Sequence, residues 1–250
     1  MRVEERIVAQ AKERAGTLTV EDLCLGVGYT GIKLSDGSGG VSYTFRDSLG
    51  EGCGVLPNAG RLIGLPAAEV LDWALSNNLG MAAVGMAAVN ALLNRDFSQG
   101  PNIAQAVDCA EDDVVGMVGW FCPLVWRYQQ AKALYIFERD PASASPAGIA
   151  RILGAEEAYE ILPQCNKVVL TGTSFINKTA DDLLKACKNA QEIIIVGAST
   201  PMCPEVLRDY GVTVLAGTRI VDADRALRIV AQGVGGMDLS TASEKLFERI

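Results

Sequence analysis

The side chains best suited to chemistry stand at the ends of short β-branched runs in the second half of the chain. Glu138 follows the run Ala133 to Phe137. It stands twenty-two residues after Gly116, close to the ~20-residue offset at which an acidic group meets a ribose hydroxyl in dinucleotide sites. Gly116-Met-Val-Gly119-Trp-Phe121-Cys122-Pro123 is a glycine-bearing turn that lets backbone approach a ligand. Its spacing is not GxGxxG, so it is a weak dinucleotide fingerprint. Thr171-Gly-Thr173-Ser-Phe-Ile-Asn177-Lys178 gathers hydroxyls, an amide and helix-capping groups, a composition suited to an anion or another polar ligand.

Gly197-Ala-Ser199-Thr200-Pro201-Met202-Cys203-Pro204 adds hydroxyls and two soft sulfur atoms. Soft donors favour Cu(I) or Zn, and Cys122 with Cys203 is the thiol pair a heavy or transition metal would draw on. Two thiols at unlinked positions are nevertheless no zinc signature. In the first half, Tyr29-Thr30 and the glycine-rich loop Gly52 to Gly64 are places that could face a second domain, and the amides of Asn90 and Asn94 are expected to reach a domain interface, because a buried amide must be hydrogen-bonded. The expected contact set is Tyr29, Asn90, Gly119, Phe121, Cys122, Glu138, Thr171, Thr173, Asn177, Ser199, Thr200 and Pro201, with Cys122 and Cys203 as metal ligands.

There is no histidine among the 250 residues. That excludes Ser-His-Asp and Cys-His catalysis, histidine-ligated zinc and the 2-His-1-carboxylate iron site. A general acid or base would have to be Glu138, Lys178 or Tyr29. The net charge of −8, without a basic cluster, argues against nucleic acid as a partner and for small molecules, metals or proteins. Seven cysteines, Cys53 among them, form no CxxC pair and read as reduced thiols. The first residues alternate charged with apolar side chains and lack a secretory pattern, so the expected location is the cytoplasm. No apolar run is long enough to cross a bilayer, so membrane insertion is not expected.

These groups need a scaffold. Val3 to Ala15 has helical spacing, and Thr19 to Leu34 and Val41 to Phe45 read as strands of a small antiparallel sheet. Pro66 to Leu75 and Met81 to Leu93 read as helices; the second repeats Gly-Met-Ala-Ala-Val at Gly80 and Gly85, a small-residue surface for close packing. From Asp113 the pattern changes. Strands are expected at Val114 to Val118, Ala133 to Phe137, Lys167 to Leu170, Glu192 to Val196 and Val212 to Leu215. Helices are expected at Cys122 to Gln130, Ala150 to Ile161, Thr179 to Asn189, Pro204 to Tyr210 and Asp222 to Gln232. Such alternation implies a parallel sheet covered on both faces. The expected fold class is α/β, with residues 1–100 as a small α+β domain and 101–250 as a parallel α/β domain.

Leu170-Thr-Gly-Thr-Ser-Phe-Ile-Asn177, Val196-Gly-Ala-Ser-Thr-Pro201, Tyr210-Gly-Val-Thr-Val-Leu-Ala-Gly217, Phe137-Glu-Arg-Asp-Pro141 and Gly85-Met-Ala-Ala-Val-Asn-Ala-Leu92 together resemble a family of heavy-metal chelation proteins, formerly of unknown function. The resemblance implies an enolase-N-terminal-like domain packed on a Rossmann-like domain, with the site in the cleft between them. It also implies binding of a metal, a metal chelate or a metallophore. Members often carry Thr-Thr-Leu-Ile-Asn-His where this chain has Thr173-Ser-Phe-Ile-Asn177-Lys178, so lysine here removes a potential metal ligand and weakens a direct-ligation model. Two further readings stand beside it: an enzyme on a small anionic or nucleotide-like ligand, and a non-catalytic ligand sensor that forms a homodimer.

Overall fold

The computed structural model describes residues 1–50, 54–143, 147–233 and 238–250. Gly52 and Cys53 lie outside the described residues. Helix α1, Val3–Ala15, buries Ile7 and Ala11 on one face, and the carboxylate of Glu5 accepts from the backbone N–H of Arg2 at its start. Strands β1 (Val20–Leu25), β2 (Tyr29–Leu34) and β3 (Gly39–Tyr43) follow as an antiparallel meander. Helix α2 (Ala67–Asp72) leads to α3 (Leu79–Leu93). Oδ1 of Asn78 caps α3 by accepting from the N–H groups of Gly80 and Met81 at 2.9 and 3.0 Å.

Because α3 is apolar on nearly every side, it must be covered all round, and it is: β2 and β3 lie on one side, α1 and α2 on the other. The repeated small residues make this possible. A Cβ on Gly85 would stand 2.0 Å from the backbone nitrogen of Ala74, so only glycine lets the turn after α2 come this close.

A short helix, α4 (Ile103–Ala106), precedes the parallel sheet. Its elements are β4 (Val114–Val118), α5 (Cys122–Arg127), β5 (Ala133–Glu138), β6 (Ala150–Gly154), α6 (Ala158–Ile161), β7 (Lys167–Thr171), α7 (Ala180–Ala186), β8 (Glu192–Val196), α8 (Pro204–Leu207) and β9 (Val214–Ala216). The spatial order is β6-β5-β4-β7-β8-β9, all parallel, with β12 (Glu248–Arg249) antiparallel at the β9 edge. The chain winds outward from β4 in one direction and then, from β7, in the other. The switch point therefore falls between β4 and β7, where their C-terminal ends leave a crevice.

Three sequence expectations change. Ala150 to Ile161 is not one helix: Ala150–Gly154 pairs in parallel with β5 as an edge strand, and only Ala158–Ile161 is α-helical. Helix α9 (Ala223–Ala231), expected with the parallel sheet, packs on β1 and β2 instead. The chain also returns to the first sheet through β10 (Thr218–Ile220) and β11 (Ser243–Lys245), giving the order β1-β2-β3-β10-β11. A cut at residue 100 thus does not separate the two sheets, since the antiparallel one takes strands from both ends of the chain. It lies between α3, over Ile32 and Gly40, and α9, whose Leu227 and Val230 face Gly31.

Candidate functional site

Two cavities open at the C-terminal ends of the parallel strands. One encloses about 690 Å³ and the other about 560 Å³. Trp120 and Phe121, in the turn after β4, line both. Phe121 is held between two glycine turns: a Cβ on Gly119 would meet its ring at 3.4 Å and one on Gly197 at 3.8 Å. Both glycines have left-handed backbone, φ 92° and 124°, which a side chain would strain. The aromatic ring therefore stands over the switch-point region and divides it in two.

The smaller cavity carries four of the polar groups expected from the sequence, together with Gly119. Glu138 ends β5 there, and Thr171, Thr173 and Asn177 follow β7. The Oγ1 atoms of Thr171 and Thr173 are 3.0 Å apart, and Oδ1 of Asn177 accepts from the Thr179 hydroxyl at 2.7 Å. That contact orients the amide of Asn177 and leaves its Nδ2 hydrogens without a protein partner among the described residues. Burial pushes the Glu138 carboxyl up from its ordinary range, while backbone N–H groups of Arg139 and Trp120 and the Arg139 charge draw it partway back. A carboxyl so placed can accept from a ligand hydroxyl or move a proton.

The antiparallel unit closes this cavity with Tyr43 and Phe45, whose rings meet edge to face at 5.1 Å. The guanidinium of Arg139 lies 4.7 Å from the Phe45 ring centre. These residues were not singled out in the sequence. The available signal was the i, i+2 spacing of Tyr43 and Phe45, which puts both on one face of an extended segment.

The larger cavity takes Tyr29, Phe121 and Cys122 from the expected set. Cys122 is exposed at its edge. Burial pushes the Tyr29 hydroxyl up from its ordinary value, so it stays a protonated donor.

Apart from Gly119, which lines the smaller cavity, the remaining expected residues line neither. Ser199, Thr200, Pro201 and Asn90 are buried at the junction of the two sheets. Oγ of Ser199 accepts from the N–H of Tyr43 at 2.8 Å, and Nδ2 of Asn90 donates to the carbonyl of Val41 at 2.9 Å. The loop after β8 thus holds β3 through the Ser199 hydroxyl and the end of α3 through the Thr200 carbonyl, while the Thr200 hydroxyl is buried without a partner among the described residues. Cys203 packs against α1, its thiol 3.0 Å from Oε1 of Gln10 and pushed up to about 12 by burial. It is not brought to the cavity that Cys122 lines. Lys178 also points elsewhere: its ammonium donates to the carbonyls of Ala74 and Phe175, and burial pushes it down to about 8. The three groups considered for acid–base work are therefore separated.

No group of three or more cysteine, aspartate or glutamate side chains is placed to hold a metal among the described residues. The donor set thus does not fit a metal bound directly by protein atoms. No helix among the described residues is long and apolar enough to cross a membrane.

A Rossmann-order sheet joined to a smaller antiparallel unit defines the class of protein, and solved structures share it over nearly the whole chain. A protein of unknown function from Pyrococcus horikoshii superposes with a TM-score of 0.83 at 23% identity, covering 99% of this chain and all of that one. A second, from Desulfitobacterium hafniense, gives 0.79 at 26% identity, covering 99% and 98%. An uncharacterized protein of Methanocaldococcus jannaschii is 30% identical over 183 residues, 71% of this chain and 69% of that one. The chain belongs to the family described as "Putative heavy-metal chelation", whose two models match residues 8–93 and 102–248.

Proposed function

We propose that the chain binds a metal chelate, a metal ion already wrapped by a small organic chelator, in the smaller cavity at the ends of β4, β5 and β7. The observation that carries this reading is the mismatch between a built polar cavity and a missing metal-ligand set. Glu138, Thr173 and Asn177 face the space with aromatic walls around them, yet protein donors for a bare ion are absent among the described residues. Hydroxyl and carboxylate groups of a chelator would meet the amide of Asn177 and the threonine hydroxyls, while its apolar parts would pack on Tyr43 and Phe45. The family description supports the same reading. The chain would do this in the cytoplasm, without nucleic acid, and as a homodimer.

Calorimetric titration with Ni(II), Cu(II) and Zn(II) salts, and separately with their citrate complexes, tests it. The complexes should bind and the bare ions should not. Asn177→Leu should weaken complex binding by about tenfold, the loss expected for one good polar contact. Equal binding of bare ions, or no binding of any complex, overturns the reading.

One observation favours a second reading, a nucleotide-like ligand. Glu138 ends β5, the strand beside β4, which is where a Rossmann-order sheet offers a carboxylate to a ribose. Thermal shifts with adenine nucleotides and dinucleotides, lost in Glu138→Gln, would support it; no shift with any of them would dismiss it.

A further inference from the structure

The larger cavity differs in character from the site proposed above. Its walls are apolar, with Trp120, Phe121, Leu239 and Leu246 among them; among the described residues Lys245 is the single cation in its lining, and no carboxylate lines the space. We propose that this cavity is a separate ligand site and that it takes an aromatic monocarboxylate.

The backbone register argues that Lys245 faces the cavity. Lys245 stands directly opposite Thr218 across the β10–β11 pair. Opposed residues of an antiparallel pair project to the same face. Ser243, two residues earlier on β11, projects there too, and all three line the cavity. The ammonium has no ion-pair partner among the described residues, in contrast to Lys33 and Lys167, each of which meets two carboxylates. The hydroxyl of Tyr29 adds a second donor, since burial keeps it protonated.

A ligand complementary to this lining is an aromatic ring beside Trp120 and Phe121 with one negative group reaching Lys245 at the rim. At about 690 Å³ the cavity falls within the ~300–1,000 Å³ of small-molecule sites. The smaller cavity offers different terms, because its lining carries charges of both signs, Glu138 and Arg139, beside the threonine hydroxyls. Phe121 is the wall common to both, so the two ligands would sit on opposite sides of one ring.

The test compares charged and neutral probes on the full chain by calorimetry and ligand-observed NMR: 1-naphthoate and indole-3-acetate against 1-naphthamide and indole-3-acetamide. The acids should bind at least about tenfold more tightly than the amides at low salt. Added salt should narrow that gap, because the contact is at an exposed cation. Lys245→Met, at an exposed position, should bring acids and amides within about twofold of each other. Ser240→Trp, at the exposed rim, should weaken both classes by filling the space. Acids and amides binding equally, unchanged acid binding in Lys245→Met, or no acid binding below about 1 mM would each overturn the proposal. Citrate-complex titration of the same variants keeps the two sites apart: it should be unaffected by Lys245→Met, so failure of one proposal leaves the other to be judged separately.

Discussion

Asn94 clamps the backbone on both sides of Pro201: its Nδ2 donates to the carbonyl of Thr200 at 3.0 Å, and its Oδ1 accepts from the N–H of Met202 at 2.8 Å. The same Nδ2 reaches the carbonyl of Thr218 at 2.9 Å. One side chain at the end of α3 thus fixes both the loop after β8 and the start of β10. It is 1% exposed, so water cannot replace these bonds without opening the junction.

Asn94→Ala should therefore be among the costly single changes. It leaves buried backbone groups unpaired at about 1–3 kcal/mol each, so a loss of roughly 3 kcal/mol is expected in urea unfolding. A loss below about 1 kcal/mol would mean that the junction re-forms without the amide.

Gly85 and Gly80 occupy equivalent places in the repeated pentapeptide but not in the packing. A Cβ on Gly85 meets backbone at 2.0 Å, whereas one on Gly80 meets first the Val55 side-chain tip at 2.5 Å. Gly85→Ala should cost at least about 2 kcal/mol through forced backbone displacement, and Gly80→Ala distinctly less. Thermal unfolding of both variants checks the order.

Glu138→Gln should stabilise the protein near neutral pH. Burial raises the folded-state pKa of Glu138, so its favourable contribution is present below the ordinary carboxylate value and lost as pH rises through the raised one. Glutamine does not titrate. The variant's advantage should consequently shrink as pH falls toward about 4, where both forms are uncharged. Parallel unfolding curves between acid and neutral pH read this directly. The same change should weaken any hydroxyl-bearing ligand, a trade of binding for stability at one residue.

Alkylation should sort the thiols by position. Cys122 is exposed, whereas Cys165, Cys187 and Cys203 are buried and pushed up to about 11, 12 and 12. Only the thiolate reacts, so at mildly alkaline pH iodoacetamide should label Cys122 first and spare those three until unfolding. Peptide mass spectrometry reads the sequence of events, and early labelling of Cys203 would contradict its packing against α1.

How much could be read beforehand follows from how local each signal was. Val114–Val118 and Glu192–Val196 are short runs rich in Val and Ile, and the sheet formed where those runs predicted. Strand β6 was hidden because Ala150-Arg-Ile-Leu-Gly is short and runs straight into Ala-Glu-Glu-Ala, whose spacing suits a helix. Strands β10 and β11 are three residues each and mostly polar, and they gain order from distant partners: one another, β3 and Asn94. The site divides the same way. Glu138, Thr171 and Asn177 were legible because strand ends converge on ligands in such sheets, while Lys245 depends on the long return of the chain. Ser199 looked like a ligand group because a hydroxyl serving a neighbouring backbone has the same residue type as one awaiting a ligand.

That return also orders events during synthesis. Strands β1 to β3 emerge from the ribosome while β10 and β11 are still untranslated, so β3 waits with an unpaired edge through the making of β4 to β9. An edge left open for so long is where a nascent chain recruits a wrong partner. The first sheet to be translated thus stays unfinished until almost the end of synthesis, and a ribosome stalled before Thr218 carries β3 with that edge uncovered.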